Sequence, residues 1–513
     1  MADSSAVTRL LSWCSERDFW IDPRIQVISG PCGVAVISQD TTIPAESILA
    51  RIPRESVLSV KSSPISELIP PHPYGRGAQL SLALALSVEL MRGAASPWFP
   101  YLKSLPREIP GIPLFWTSGA HCGDPTEWLN GTEAWKMLFE SEENHASLFS
   151  EIDEYFHQVV QQVYSQVFES SSPAMVPSLH HFYYAYSLVS SRAFLVDSYH
   201  GLSMVPIADA FNHAQENHVH LESDFDVCPE CGSLPRCLHD DTGDSVSRAT
   251  AVPDDADDFY EMVSNLPIPP NTEVYNTYGG TLSNAELLVQ YGFILDVNEN
   301  DRLIWTFAEL AQFSENYLPP SWTWDSVGGL SQFRALLDAL ISGPWESISA
   351  SELVHRDRMH AFCLNGDATV SHGLWLYFAL LLCLRNTTSP ANRDPNAVIV
   401  LLEDMIQRQL TLELLHTNSA SGLDISVPQL PDDPSPYSDM LELACLLASL
   451  CRARSASTGK PGVEMTELGD ILDRLPNDMN STRMAISLAM TERSLLDSCM
   501  SSWEGLAECL ELA

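Results

Sequence analysis

Residues 273–280 read EVYNTYGG, and two residues later the chain continues as SNAELLVQYGF over residues 283–293. The first stretch is a β-branched and aromatic run that ends in two glycines, which is typical of a strand running into a turn. An earlier segment, DAFNH at residues 209–213, contains an Asn-His pair. Each segment is common by itself, so the prediction of the fold depends on their order and on the chain around them.

Two β-rich regions flank a long helical pattern. Residues 26–60 alternate short β-rich runs with glycine and proline, and strand-and-turn character returns between residues 202 and 293. Residues 80–92 are instead apolar at helical spacing, and residues 132–168 form long Glu-, Gln- and aromatic-containing stretches with few breakers, which predicts a helical insertion at 76–190. The polar, Asp-rich segment 223–258 lacks apolar periodicity and is predicted to be a surface loop.

Helical periodicity dominates the chain after residue 303, with Pro- and Ser-rich breaks between the helices and an exposed connection expected at 419–438. The helices are predicted at residues 330–341, 373–384, 398–415 and 438–453. The sequence thus predicts four parts, namely 1–75, 76–190, 191–302 and 303–513, of which the first and third form one β-rich domain.

The composition limits the classes of partner. The chain has 513 residues with 27 Lys and Arg against 67 Asp and Glu, for a formal net charge of −40. A field of this sign repels phosphate backbones and attracts basic polypeptides, so direct nucleic-acid binding is disfavoured and a basic protein partner is expected. Acidity that only maintains solubility is an equally weighted explanation. The oligomeric state is not readable from the sequence.

The sequence also bears on the compartment. The longest apolar stretch, residues 374–384, is far shorter than the roughly 20 residues of a membrane-spanning helix and is predicted to be a buried helix. Charged residues from Arg9 onward interrupt any signal-peptide core, and the twelve cysteines have no regular spacing. We therefore expect a soluble protein of the cytoplasm or nucleus with reduced thiols.

Taken together, these segments resemble the SET-domain protein lysine methyltransferases, and in particular the group built like the plant RuBisCO large-subunit methyltransferase. The resemblance covers nearly the whole chain. Within this group, the chain is similar to the fungal ribosomal-protein lysine methyltransferases. It implies an α+β fold: a split β-rich SET domain with a helical insertion, followed by an all-helical C-terminal substrate-binding domain. It also implies methyl transfer from S-adenosylmethionine to lysine side chains of a protein such as a ribosomal protein.

The resemblance assigns roles to two early motifs. Gly30 and Gly33 match the Gly-x-Gly first strand and turn that contacts the cofactor, although two residues separate the glycines here. Arg192 lies in a Ser-Arg-x-Phe element at 191–194 and is implied to lie beside the cofactor and the substrate entrance. Without the resemblance, the glycines would be an ordinary turn and the arginine a solvated surface residue.

The later motifs supply the remaining site residues. By resemblance, Asn212 and His213 hold the adenine end of S-adenosylmethionine, and Asp209 shapes the neighbouring pocket where substrate binds. Tyr278 is the implied catalytic residue, which also contacts substrate, and Tyr291 is a second pocket tyrosine that packs on the cofactor. As isolated residues, they would be a satisfied polar turn and two core aromatics.

The chemistry implied needs little beyond alignment. The sulfonium of the cofactor is already a good leaving group, so the protein mainly holds nitrogen, methyl carbon and sulfur in line. A free lysine has a pKa of about 10.4, and an apolar channel beside a positive sulfonium favours its neutral, nucleophilic form. No dedicated general base is required.

Cys228 and Cys231 form a Cys-x-x-Cys pair that is followed by Cys237 and His239. Sulfur and imidazole nitrogen are the ligands of structural zinc, so these four residues are a candidate tetrahedral zinc site. A single Cys-x-x-Cys is of limited specificity, and a loop of reduced thiols is the open alternative.

Three further interpretations compete. His213, His218 and His220 with Asp209 have the ligand types of an open metal centre, but strand alternation does not bring all three histidines together. Related motifs also occur where a histidine is methylated, since a neutral imidazole is available near physiological pH. A SET fold that binds a basic peptide without catalysis is the alternative from another class.

Overall fold

The structure is a computed structural model. It describes residues 4–30, 33–107, 111–118, 125–140, 147–168, 178–223, 227–234, 237–241, 258–317, 323–327, 329–343, 345, 347–357, 359–386, 395–421 and 437–511. The chain folds as two units. The first contains residues 1–115, 138–281 and 289–292, and the second contains residues 116–137, 282–288 and 293–513. The predicted division into four parts stays a prediction.

The described residues of the first unit form nine short strands in three sheets. They are β1 (Trp20–Ile21), β2 (Ile25–Gly30), β3 (Gly33–Ser38), β4 (Ile48–Pro53), β5 (Leu58–Ser59), β6 (Ala193–Leu195), β7 (Leu202–Met204), β8 (Val219–Glu222) and β9 (Phe259–Ser264). The sheet orders are β1-β4-β9-β8, β5-β7-β6 and β2-β3. Because β4 pairs with β9 and β5 with β7, the two β-rich regions that flank the helical insertion fold together.

The insertion is helical, as the periodicity predicts. Its helices are α2 (Gly75–Arg92), α3 (Phe99–Ser104), α4 (Thr126–Leu129), α5 (Glu133–Phe139), α6 (Leu148–Tyr155), α7 (Gln161–Phe168) and α8 (Leu179–Arg192), and α1 (Ser4–Ser15) precedes the first strand. α2 packs against α8 and is buried on almost every side. A capping box between Ser178 and His181 fixes the start of α8, and the helix ends at Arg192.

The second unit is mainly helical. Its helices are α10 (Phe307–Tyr317), α11 (Leu330–Ile341), α12 (His372–Asn386), α13 (Pro395–Ser421), α14 (Ser438–Ser457), α15 (Met465–Arg474) and α16 (Asn480–Glu511), and it shares α9 (Asn284–Tyr291) with the first unit. The apolar run 374–384 lies in the core as predicted, with Trp375 and Tyr377 almost inaccessible. Within the described residues, no helix combines the length and apolar character that crossing a membrane requires.

The predicted α+β fold class is confirmed, with one correction to its C-terminal part. The expectation of an all-helical domain omitted a small sheet, whose strands follow the order β10-β12-β13-β11. These strands are β10 (Leu303–Ile304), β11 (Val354–His355), β12 (Cys363–Leu364) and β13 (Val370–Ser371). A two-residue strand is too short to show alternation in the sequence, so periodicity could not reveal it.

Two predicted loops lie partly outside the described residues. In the segment 223–258, only residues 223, 227–234, 237–241 and 258 are described. In the segment 419–438, residues 422–436 are outside the description, while α13 extends to Ser421 and α14 begins at Ser438. The loop character of both segments therefore stays a prediction over most of their length.

Candidate functional site

A cavity of about 180 Å³ opens in the first unit where α8, β6, a turn at 208–210 and the 277–278 segment meet. Its wall is formed by Ser191, Arg192, Ala193, Phe194, Leu195, Asp209, Thr277, Tyr278 and Tyr291. Four predicted site residues, Arg192, Asp209, Tyr278 and Tyr291, are thus brought together although they are up to 99 positions apart in the chain.

Arg192 and Asp209 form the polar side of the cavity. Arg192 is the last residue of α8, and its Nη1 donates to the backbone oxygen of Asp209 at 3.1 Å and lies 3.6 Å from the Asp209 Oδ2. Asp209 sits in the turn Ala208–Ala210, which follows the buried Ile207 at φ 72°. Since a β-branched residue rarely adopts this left-handed conformation, the surrounding packing must hold the turn in place.

Burial dominates the electrostatics of this pair. Desolvation raises the pKa of Asp209, while Arg192 and a hydrogen bond from Tyr101 act in the opposite direction. The Tyr101 hydroxyl donates to Asp209 Oδ2 at 3.0 Å, and burial, together with the neighbouring carboxylate, raises the pKa of Tyr101. The carboxyl group is therefore engaged on two sides within the protein.

Sequence reasoning missed Tyr101. This tyrosine is 1% exposed and lies on α3, more than 100 residues from Asp209. In the sequence it is one aromatic residue of a short helix, without a motif around it. Only the folded chain shows its contact with the site.

Tyr278 and Tyr291 form the aromatic side. Their rings stack with centroids 4.6 Å apart and an interplanar angle of 21°. The backbone N–H of Tyr278 donates to His213 Nδ1 at 3.0 Å, and burial lowers the pKa of His213, which favours the neutral ring that can accept this bond. Burial, with the nearby Tyr278, also raises the pKa of Tyr291, which keeps its hydroxyl protonated.

Asn212 and His213 support the cavity and are not among its lining residues. The Asn212 side chain donates to Glu273 Oε1 at 2.6 Å, and its backbone oxygen accepts from the Asn276 N–H at 2.8 Å. His213 and Asn276 also form a parallel bridge. These bonds join the two motif segments, and they engage the Asn212 amide that resemblance assigns to adenine; its role in cofactor binding stays a prediction.

Gly30 and Gly33 face each other at the end of the β2–β3 hairpin. Gly33 has φ 126°, and a Cβ added there would lie 3.4 Å from Arg192 Nη2. This pair is thus next to the polar side of the cavity without lining it, and residues 31–32 between the glycines lie outside the described part of the chain.

The alternative open metal centre does not form among the described residues. His218 Nδ1 accepts from the backbone N–H of Tyr275 at 3.1 Å, and His220 bonds to Asn265. Neither histidine groups with Asp209 as a set of potential ligands. Cys228, Cys231, Cys237 and His239 do form such a set, separate from the cavity wall.

No family model matches the chain. A similar protein is ribosomal lysine N-methyltransferase 3 of Saccharomyces cerevisiae, 24% identical over 396 residues that span 64% of this chain and 68% of the yeast protein. Another is the actin-histidine N-methyltransferase of Otolemur garnettii, 26% identical over 269 residues; the match spans 51% of this chain and only 38% of that relative.

A similar solved structure is the SET domain of LSMT bound to lysine and AdoHcy, with a TM-score of 0.59 at 17% identity, covering 100% of this chain and 94% of that one. These comparisons confirm the predicted resemblance: the chain has the fold of the Rubisco LSMT SET-domain structures. The enzyme class and cofactor expected from the sequence, a protein-lysine methyltransferase that uses S-adenosylmethionine, agree with them.

Proposed function

We propose that this protein transfers a methyl group from S-adenosylmethionine to lysine side chains of a basic protein of the cytoplasm or nucleus, such as a ribosomal protein. The observation that carries the proposal is the cavity lined by both the stacked Tyr278–Tyr291 pair and the Arg192–Asp209 pair, in the fold of a protein solved with lysine and AdoHcy. The match to a ribosomal lysine N-methyltransferase supports the choice of target.

The size of the cavity suits the reacting ends of two ligands. Its volume of about 180 Å³ is below the roughly 300–1,000 Å³ of a complete small-molecule site. It therefore fits a lysine end meeting a methyl donor better than it fits a whole nucleoside. Gly33, beside Arg192, and His213, bonded to the Tyr278 backbone, lie next to the wall as candidates for the remaining cofactor contacts.

The lining favours a neutral amine. S-adenosylmethionine, when bound, supplies an electrophilic methyl group on a positive sulfur. Asp209 is the one acidic residue among the described lining residues, and it is engaged by Arg192 and Tyr101, so the wall offers no open carboxylate to hold the lysine as an ammonium ion. The stacked tyrosines supply an aromatic wall, and in this proposal the Tyr278 hydroxyl orients the incoming nitrogen.

Histidine methylation is the second candidate because one relative is an actin-histidine N-methyltransferase. An imidazole is already neutral near physiological pH and needs no deprotonation by the cavity. A peptide-binding adaptor without catalysis is less well supported, since Arg192, Asp209, Tyr278 and Tyr291 are assembled around one cavity.

The test uses the full chain with radiolabelled S-adenosylmethionine and protein from cells that lack this enzyme. We expect label in a small number of basic proteins, and hydrolysis of the labelled proteins should release methyl-lysine. Release of methyl-histidine instead would support the second candidate. Calorimetric titration with S-adenosylmethionine and its demethylated product should show binding; absence of binding and of label would contradict both enzymatic proposals.

A further inference from the structure

A set of sulfur and nitrogen atoms lies close together in the loop after β8, away from the proposed methylation cavity. Cys228 Sγ lies 3.7 Å from His239 Nδ1, Cys231 Sγ lies 3.7 Å from Cys237 Sγ, and Cys237 Sγ lies 3.6 Å from His239 Nδ1. All four ligand atoms are within 4.8 Å of one another.

These separations match the edges of a zinc tetrahedron. With Zn–S of about 2.3 Å and Zn–N of about 2.0–2.1 Å, tetrahedral angles place two sulfurs about 3.8 Å apart and a sulfur and a nitrogen about 3.6 Å apart. The Cys231–Cys237 separation of 3.7 Å is far above the roughly 2.05 Å of a disulfide. The cluster therefore has the dimensions of a metal centre and not of a cross-link.

The backbone around the first two cysteines supports the same arrangement. Gly232 has φ 74°, a conformation that favours glycine, and its N–H donates to the Cys228 oxygen at 2.8 Å. The Cys228 N–H in turn donates to the Ser233 oxygen at 3.0 Å. The turn is thus closed at both ends and places Cys228 and Cys231 on one side.

We propose that Cys228, Cys231, Cys237 and His239 bind one structural Zn²⁺. Three thiolates and one imidazole nitrogen fill the four positions of a tetrahedral ion, which leaves no open position for substrate or water and makes the site structural. The spacing in the sequence raises this possibility, and the convergence of the four atoms supports it. The proposal is independent of the methyl-transfer activity.

The loop that carries the four proposed ligands packs on a segment next to the cavity wall. Ser198 Oγ donates to the Val227 oxygen at 3.0 Å, and a Cβ on Gly232 would lie 2.8 Å from the Tyr199 ring, so the loop packs directly on the segment 198–199. This segment lies between β6 and β7, and β6 residues line the cavity. The metal therefore stabilises the turn that carries one wall of the site.

Metal analysis of the purified full chain tests the proposal. We expect about one zinc per chain, strongly reduced in Cys231→Ser and in Cys237→Ser. Cys445→Ser is the matched control, because Cys445 is an exposed cysteine on α14 and should leave the zinc content unchanged. Asp357→Asn controls for the second group of potential ligands, His355, Asp357 and Cys363, and should also retain the metal.

Hydrogen exchange of the wild-type chain, measured before and after chelation, tests the proposal without relying on the folding of any variant. Amides of residues 227–234 and 198–201 should exchange faster after zinc removal, while those of α12 in the second unit stay protected. A zinc-free wild-type chain, a Cys231–Cys237 disulfide found by mass spectrometry, or equal zinc in wild type and Cys237→Ser would overturn the proposal. None of these outcomes depends on cofactor binding or methyl transfer.

Discussion

Removing the Tyr278 hydroxyl tests its role in orienting the substrate without changing the packing of the ring. Tyr278→Phe retains the ring, whose centroid lies 4.6 Å from that of Tyr291. It also retains the hydrogen bond from the backbone N–H of residue 278 to His213 Nδ1. We therefore expect an intact fold and nearly unchanged cofactor affinity, with turnover reduced by about a hundredfold, the scale of losing one oriented group in an active site. Single-turnover methylation and calorimetric cofactor binding measure the two quantities separately.

Tyr275→Phe is the matched control for this variant. Its hydroxyl bonds to Glu273 Oε2 at 3.2 Å, and Tyr275 is not among the residues that line the cavity. The control should retain turnover within a few-fold of wild type. If Tyr278→Phe were as active as Tyr275→Phe on the true substrate, the catalytic role of Tyr278 would be refuted.

Protonation of His213 makes the stability of the site depend on pH. Burial lowers the pKa of His213, so the unfolded chain binds the proton more readily and stability is lost as the pH falls from about 6.5 towards the folded-state pKa. Protonation also turns Nδ1 into a donor that opposes the Tyr278 N–H. His213→Asn places an amide oxygen near Nδ1 and does not titrate, so its melting temperature should fall less than that of wild type between pH 7.5 and 5.5.

The difference between the two pH profiles isolates this residue. His218, His355 and His372 also have pKa values lowered by burial, but they are present in both proteins and cancel in the comparison. Parallel profiles for wild type and His213→Asn would show that the Tyr278–His213 hydrogen bond carries no pH dependence.

Single residues show how far the sequence could predict the site. Arg192, Asp209, Tyr278 and Tyr291 stand in motifs with a recognisable order, and all four line the cavity. The contact of Tyr101 with Asp209 depends on tertiary packing, which leaves no local signature in the sequence. The buried, left-handed Ile207 is a similar case, because a β-branched residue predicts extended backbone and only the surrounding core imposes φ 72°.

At the scale of elements, the end of α9 is fixed by a close backbone approach. Gly292 has φ 77° directly after Tyr291, and a Cβ there would lie 2.6 Å from the backbone carbon of Gly111. Gly292→Ala must therefore displace Tyr291 or the backbone at 111–112. We expect a destabilisation clearly above the roughly 1–2 kcal/mol that an alanine at positive φ costs, together with reduced cofactor affinity.

Gly462 supplies the matched control for Gly292. It has the same φ of 77°, and no atom lies within 4 Å of an added Cβ. Gly462→Ala should therefore show the conformational cost alone, with a smaller fall in melting temperature and unchanged cofactor affinity. Equal melting temperatures for the two variants would mean that the backbone at 111–112 accommodates the added methyl group.

The elements differ in how well periodicity predicts them. α11 spans Leu330–Ile341, the predicted residues, and α12 extends the predicted 373–384 by one residue at its start and two at its end. Long helices repeat their apolar pattern over several turns, so the signal accumulates. The two-residue strands β10 to β13 carry no such repeat, and the pairing of β4 with β9 joins residues more than 200 apart, which no local pattern encodes.

At the scale of the whole molecule, the net charge of −40 bears on the capture of a basic substrate. Long-range attraction between an acidic enzyme and a Lys- and Arg-rich protein raises the association rate and is screened by salt, because the Debye length falls from about 14 Å at 50 mM to about 6 Å at 300 mM. Raising the salt over this range should increase KM for a basic protein substrate several-fold while kcat changes little.

The small cofactor is an internal control for the salt dependence of protein-substrate binding. S-adenosylmethionine carries a single net positive charge, far fewer than a Lys- and Arg-rich protein, so its dissociation constant should change far less than the KM of the protein substrate over the same salt range. A peptide with one lysine and uncharged flanking residues is a further control, and its KM should depend only weakly on salt. If the KM of the basic protein were independent of salt, the acidity of the chain would serve solubility alone, and target choice would depend on short-range contacts at the site.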